Sequence, residues 1–305
     1  MYWIDKIKQL FGFEAPVAIN YSRYHTNLFE DPTILECLKR NGYCVVPFLQ
    51  PTEVKALHDD FLHILKMSEG QRTDFFWVSA FSPNMDLRQF SKNSLETRFK
   101  DFLPRIFNEQ AEFMGGTFLV KPPTKEGKND PHQDSAHVDE AKDYSVYCWV
   151  PLIDINDTNG PMYAINGSHL WGNRYRSTVV PWLYKNILDE LLNYGTPAYM
   201  KAGEMLIFDS ALVHFTPPNT TNEPRPAINY FVKPKSSPLL YYFTDKETPE
   251  GIVEEFALSK EFYDTYDWFS RPPVTFKVRD LPNKAIRLDK NTLKKMYNRF
   301  TKYDC

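Results

Sequence analysis

The segment Pro131 to Asp139 sets an imidazole and a carboxylate, His132 and Asp134, two residues apart. On a strand, positions i and i+2 share a face, so this pair can grip one ion from adjacent rungs. It forms one edge of a two-histidine, one-carboxylate triad, which leaves neighbouring positions open on Fe(II). By itself an HxD pair reads more readily as part of a polar surface loop. A third ligand has to come from a distant strand. Glu204–Asp209 is a buried-looking strand, and His214 stands shortly after it at the end of an apolar run. Taken alone, His214 also reads as a satisfied core histidine. Beyond it, Phe215 to Arg225 leads into another strand. On a hairpin, Arg225 would lie beside the strand of His214. Its guanidinium could there form a forked pair with a carboxylate bound in the same cavity. Thr216, two residues past His214, shares that face and could donate to the same carboxylate. Iron with an anionic co-ligand held by arginine is the requirement of a 2-oxoglutarate oxygenase. The 1-carboxylate and keto oxygen chelate the metal, and the far carboxylate needs a cation.

Other ionisable residues carry weaker signals. His137 and Asp139 repeat the spacing of the first pair and read as substrate-facing or as an alternative ligand pair. Lys121 reads as a contact for an anion or as a solvated lysine. His58 and His63 ride one helix at a spacing that does not bring them together, so both are boundary residues. His169 follows a turn and reads as structural.

The elements that must position these residues are mostly strands. Gly42–Phe48 follows the turn pair Asn41-Gly42 and predicts a strand. Pro51 opens a helix with Val54, Leu57, Phe61, Ile64 and Leu65 on one face. Residues 70–95 read as irregular, and Leu95–Met114 as helical. Short strands follow at Thr117–Lys121, Tyr144–Pro151, Pro161–Ile165, Glu204–Asp209 and Pro226–Lys233, with a helix at Pro181–Tyr194. Short strands punctuated by Pro, Asn and Gly predict a sandwich or barrel, mainly β with flanking helices. Residues 1–40 read as an N-terminal extension, 41–235 as the core, and 236–305 as a C-terminal helical and aromatic extension of the same domain. The first holds a short amphipathic helix (Trp3, Ile4, Ile7, Leu10, Phe11), and the last a final helix with Leu293, Met296 and Phe300. Two aromatic segments, Phe75–Phe81 with Trp77 and Tyr241–Phe269 with Trp268, either roof the active site or glue the extensions to the core.

Composition narrows the partners. The chain has 305 residues, is 42% hydrophobic and 25% charged, and carries a net charge of −3. That is ordinary globular usage with no field for nucleic acid or an acidic membrane. No apolar run approaches the roughly 20 residues of a membrane helix. The start is broken by Asp5, Lys6 and Lys8 and lacks the apolar core of a secretory signal. The cysteines Cys37, Cys44, Cys148 and Cys305 make no CxxC pair, so neither a disulfide framework nor a zinc site is expected, and the location expected is cytoplasmic.

Several matches stand in one order over residues 41–233. They are Asn41–Leu49, His132–Asp134, Cys148–Asp154, Asn159-Gly160 with Asn166–His169, Gly203–Asp209, and His214–Thr216 through Arg225. In that order the chain resembles the phytanoyl-CoA dioxygenase (PhyH-like) family of Fe(II)/2-oxoglutarate oxygenases. The resemblance implies a double-stranded β-helix, or jelly-roll, core. It implies iron on His132, Asp134 and His214, 2-oxoglutarate on Arg225 and Thr216, and Trp149 lining the cosubstrate site. It also implies consumption of O2 and release of succinate and CO2. Related halogenases lack the carboxylate that Asp134 supplies, so hydroxylation is expected over halogenation. Desaturation, cyclisation and epoxidation use the same triad. Asn166 departs from the proline common before Gly-Ser-His in the family, which affects a turn. A non-catalytic jelly-roll binding protein, or a metal enzyme without 2-oxoglutarate, is disfavoured by the intact triad with Arg225 and Thr216. The substrate expected is a small molecule, an amino acid or peptide, or a carrier-bound intermediate.

Overall fold

The computed structural model describes residues 21–68, 76–265, 268–283 and 288–300. The helix expected near residues 3–11 and the side chain of Phe75 lie outside them. Helix α1 (Pro32–Asn41) is capped by Asp31, whose side chain accepts from the Thr33 amide, and is ended by Gly42 at φ 85°. Then follow β1 (Tyr43–Pro47), α2 (Pro51–Met67), β2 (Trp77–Val78), α3 (Met85–Phe102), β3 (Ala111–Lys121), β4 (Asn129–His132), β5 (Val146–Pro151) and β6 (Met162–Ala164). Next come α4 (Leu188–Leu191), β7 (Thr196–Ala198), β8 (Glu204–Asp209), β9 (His214–Thr216) and β10 (Arg225–Pro234). The chain continues with β11 (Leu239–Phe243), β12 (Ile252–Leu258), α5 (Lys260–Thr265), β13 (Lys277–Pro282) and α6 (Lys290–Phe300).

A six-stranded sheet runs β1-β8-β5-β10-β3-β2 and a four-stranded sheet runs β4-β9-β6-β7. All their pairings are antiparallel. Together they make the jelly-roll core. Side chains alternate across the larger sheet. Leu119, Trp149, Leu206, Phe208 and Ala227 face inward against Met162, Ala164 and Ala198 of the smaller sheet. Phe118, Cys148, Val150, Ile207 and Ile228 face outward against Leu38, Leu57, Phe61, Leu95 and Phe99 of the helices. Because both faces are covered, these strands appear in the sequence as near-continuous apolar runs.

The structure departs from the sequence reading in several places. Helix α3 begins at Met85, inside the stretch read as irregular, because the Asn84 side chain accepts from the Asp86 and Leu87 amides and starts it. Strand β3 begins at Ala111, and its pairing with β10 slips at Phe231/Val232 in a bulge that holds Gly115 at φ 143°. The helix expected over Pro181–Tyr194 shrinks to the short α4 between 3-10 turns. In the C-terminal extension, β11-β12-β13 form a three-stranded sheet that the sequence reading did not assign. The N-terminal extension is tied to the core by Arg23 and Tyr24, which each donate to the buried Asp209 carboxylate at 2.6 Å.

Candidate active site

Strand β4 ends at His132 and β9 begins at His214, and the two are register partners. Their ring centroids stand 4.2 Å apart. The Nδ1 of His132 lies 2.8 Å from the Asp130 carbonyl, and that of His214 lies 3.0 Å from the Leu212 carbonyl. A carbonyl only accepts, so each Nδ1 carries the proton and each Nε2 keeps its lone pair for a metal. Burial, reinforced by His132, pushes the pKa of His214 down to about 4. Asp134 Oδ1 lies 3.8 Å from His132 Nε2. One potential ligand atom from each of the three residues falls within 4.8 Å of the others, the one such group among the described residues. Asp134 itself stands past the end of β4, so the same-strand geometry expected from its spacing does not place it.

Arg225 opens β10, where it pairs with Lys121 of β3. It therefore sits in the larger sheet, while His214 belongs to the smaller one. The expectation that Arg225 lies beside the strand of His214 is corrected: between β9 and β10 the chain crosses from one sheet to the other, and Arg225 faces His214 across the cavity. Its guanidinium donates to the Gly160 carbonyl and lies 5.0 Å from the ring centre of Trp149. Gly160 has φ +76°, and a Cβ there would come within 2.7 Å of the Pro217 carbonyl. Arg225 is buried, and among the described residues no carboxylate is paired with it. Burial pushes its pKa down to about 9, which leaves it cationic at neutral pH. Its Nε, the Thr216 hydroxyl and the Asn229 side-chain oxygen are buried without hydrogen-bond partners among the described residues. These residues line one cavity of about 580 Å³ together with His132, Asp134, His214 and Trp149. Such unsatisfied groups are costly unless a ligand completes them. The donors Arg225 Nε and Thr216 Oγ1 fit a carboxylate, and two imidazoles with one carboxylate fit a divalent iron.

The model of the family Phytanoyl-CoA dioxygenase (PhyH) matches residues 38–227. The chain belongs to the PhyH family. It is an Fe(II)- and 2-oxoglutarate-dependent dioxygenase that uses O2. Phytanoyl-CoA dioxygenase 1 of Oryza sativa subsp. japonica is 22% identical over 244 residues, covering 63% of this chain and 85% of that protein. Among solved structures, the non-heme alpha ketoglutarate dependent carbocyclase SnoK from nogalamycin biosynthesis is similar at 17% identity and TM-score 0.49, over 68% of this chain and 86% of that one. The epimerase SnoN, in complex with Fe3+, alpha ketoglutarate and nogalamycin RO, is similar at 20% identity and TM-score 0.48, over 68% and 87%.

The remaining candidates of this PhyH-family enzyme fall away from the triad. Lys121 is buried, and its Nζ donates to the carbonyls of Gly127 and Pro217 rather than entering the cavity. Burial, with Arg225 nearby, pushes its pKa down to about 6. His137 is buried against Phe231 and Trp268, with Nδ1 3.1 Å from the Leu240 carbonyl, and Asp139 pairs with Lys142 at 3.0 Å. The two therefore form no alternative ligand pair. His58 and His63 lie against Phe61 and Phe90, and the Nε2 of buried His169 stands 3.2 Å from the Lys39 carbonyl. Both aromatic segments reach the cavity in part. Phe76 and Phe81 line it from one, Trp268 from the other, beside Tyr147, Phe208 and Phe231. Trp77 packs instead with the core under the helices. Asn229 is the cavity residue that sequence reasoning missed. Its signal was a polar side chain within an apolar strand, in phase with Arg225 at period two. No described helix is long and apolar enough to cross a membrane.

Proposed function

We propose that this enzyme hydroxylates an unactivated C–H bond of a small-molecule substrate, free or presented on a peptide or carrier. In this reading His132, Asp134 and His214 would hold iron, while Arg225 and Thr216 would hold the far carboxylate of 2-oxoglutarate in the cavity that Trp149 lines. The observation that carries it is the conjunction of an intact His-Asp-His cluster with an unpaired buried cation in the same cavity. Iron with 2-oxoglutarate and O2 supplies an oxidant strong enough for such a bond, with succinate and CO2 as co-products.

The chain's own residues do the rest. The Asp130 and Leu212 carbonyls fix the tautomers of the two histidines. Asp134 would supply iron with the carboxylate that related halogenases lack, which supports hydroxylation over halogenation. Arg225 carries its charge where water is excluded, so a carboxylate there is held more strongly than at a surface. Tyr147, Phe208, Phe231 and Trp268 give the cavity an apolar side against which a substrate can pack. Anaerobic addition of Fe(II) and 2-oxoglutarate should produce the weak visible charge-transfer band of the chelate. A substrate panel should then give succinate release matched one to one by a product heavier by one oxygen. A product lighter by two hydrogens would replace hydroxylation with desaturation, and no band at all would remove the cofactor assignment.

A further inference from the structure

Strand pairing fixes His132 and His214 but ends before Asp134. Among the described residues no hydrogen bond reaches the Asp134 carboxylate. Its direction therefore depends on how its backbone is held, and that backbone is held from behind the cavity. Arg176 Nε donates to the Asp134 carbonyl at 2.9 Å, and the Arg176 carbonyl accepts from the Ala136 amide at 3.0 Å. The other guanidinium nitrogens fork onto Glu140 at 2.6 and 2.7 Å, and one of them also donates to the Asn173 carbonyl. The side chains of Arg176 and Glu140 are 3% and 0% exposed. Between the ligands, Gln133 turns away. Its amide nitrogen donates to the Ala211 carbonyl, and its oxygen accepts from Asn173 and Trp182 at 3.1 Å each.

We propose that Arg176, aligned by its fork onto Glu140, is a positioning residue that sets Asp134 for metal binding; this rests on the iron reading of the triad. A fully buried ion pair is a weak source of stability, and apolar residues of similar volume often replace one without loss. What they cannot replace is a donor held in a fixed plane. The fork onto Glu140 orients the guanidinium, and its remaining Nε points at the carbonyl of the one ligand that no strand holds. Because Glu140 lies on the same loop as Asp134, the contacts close a ring around residues 134–140 and leave the loop little freedom to turn the carboxylate out.

The test separates positioning from folding. Arg176→Lys keeps a charge against Glu140 but loses the planar fork with its aligned Nε donor. The double variant Arg176→Met/Glu140→Leu removes the donor without leaving a buried charge. Each is titrated with Co(II) alone, without 2-oxoglutarate, following the visible d–d bands, and its melting temperature is measured beside it. The expected result is a folded protein whose Co(II) dissociation constant rises about 10- to 100-fold, the range seen when partners of metal ligands are removed. A folded variant that binds Co(II) within twofold of the parent overturns the proposal, and two chemically different variants keep the test open if one does not fold. His132→Ala is the control. If it binds Co(II) as the parent does, or if the parent binds none, the triad reading falls and this one with it.

Discussion

Arg176 and Arg225 are both buried, and their surroundings teach different things. Burial opposes the charge of Arg176, but Glu140 more than offsets that and its pKa is raised. Arg225 has a carbonyl and an indole face for company, and burial without a carboxylate lowers its pKa to about 9. The wall behind Asp134 is thus complete within the chain, whereas the cavity at Arg225 keeps polar groups without hydrogen-bond partners among the described residues. A cation left uncompensated in the interior lowers stability, and it is retained where a ligand's charge balances it.

The largest effect should come from the metal end. His132→Ala or His214→Ala is expected to bring iron content and turnover to background while the fold survives, whereas His58→Ala and His169→Ala leave iron content alone. Iron retained in either of the first pair would dissolve the contrast between a metal end and an anion end. Next come the two arginines. Arg176→Met strands the Glu140 carboxylate and should cost about 3–5 kcal/mol in urea unfolding. Arg225→Met strands no charge, only the Gly160 carbonyl, and should cost clearly less in the same measurement. Equal losses would mean that Arg225 has an internal partner after all.

Ligand affinity gives the complementary measurement. Removing one partner of a desolvated charge pair is worth about 2–5 kcal/mol. Arg225→Ala should therefore raise the 2-oxoglutarate dissociation constant about 30-fold or more, at 1.4 kcal/mol per decade. Arg225→Lys should recover little of it, since an ammonium cannot make the fork. An unchanged affinity would move the anchor elsewhere. A smaller effect is expected at the mouth. Trp268→Ala should leave iron and 2-oxoglutarate binding intact but release succinate without matching product, while Trp77→Ala lowers the melting temperature with coupling preserved. Identical behaviour of the two would cancel the difference between cavity wall and core.

The smallest effect concerns Lys121, whose pKa falls from an ordinary 10.5 to about 6 in the fold. Between those values the unfolded chain binds more protons, so this residue makes stability rise with pH, by at most about 1.4 kcal/mol per pH unit. Lys121→Met should flatten the gain seen between pH 7 and 9. Parallel slopes would show that Lys121 keeps its proton when buried.

Legibility followed the environment of each segment. Strands β5, β8 and β10 could be read because both of their faces are covered and apolar residues run on without interruption. The N-terminal half of helix α3 could not, since most of its surface is polar and its start depends on one asparagine cap. In the C-terminal sheet, Glu254 and Glu255 sit in strand β12 paired with Lys277 and Arg279, so buried acids masked the strand pattern.

The sequence by itself determined which candidate donors the chain offers and their order, His132, Asp134, His214, Thr216 and Arg225, with strands enough for a jelly roll. These are local properties, since residue type is explicit and periodicity of two reports a strand whatever it later packs on. Only the tertiary structure decided that Arg225 faces His214 from the opposite sheet, that Asp134 is held from behind by Arg176, and that Trp268 lines the cavity while Trp77 leaves it. Each depends on how two sheets close over one another, which brings together residues such as Asp134 and Arg176 that stand 42 apart in the chain. No local pattern encodes that distance. It emerges when the inner faces of both sheets are buried together.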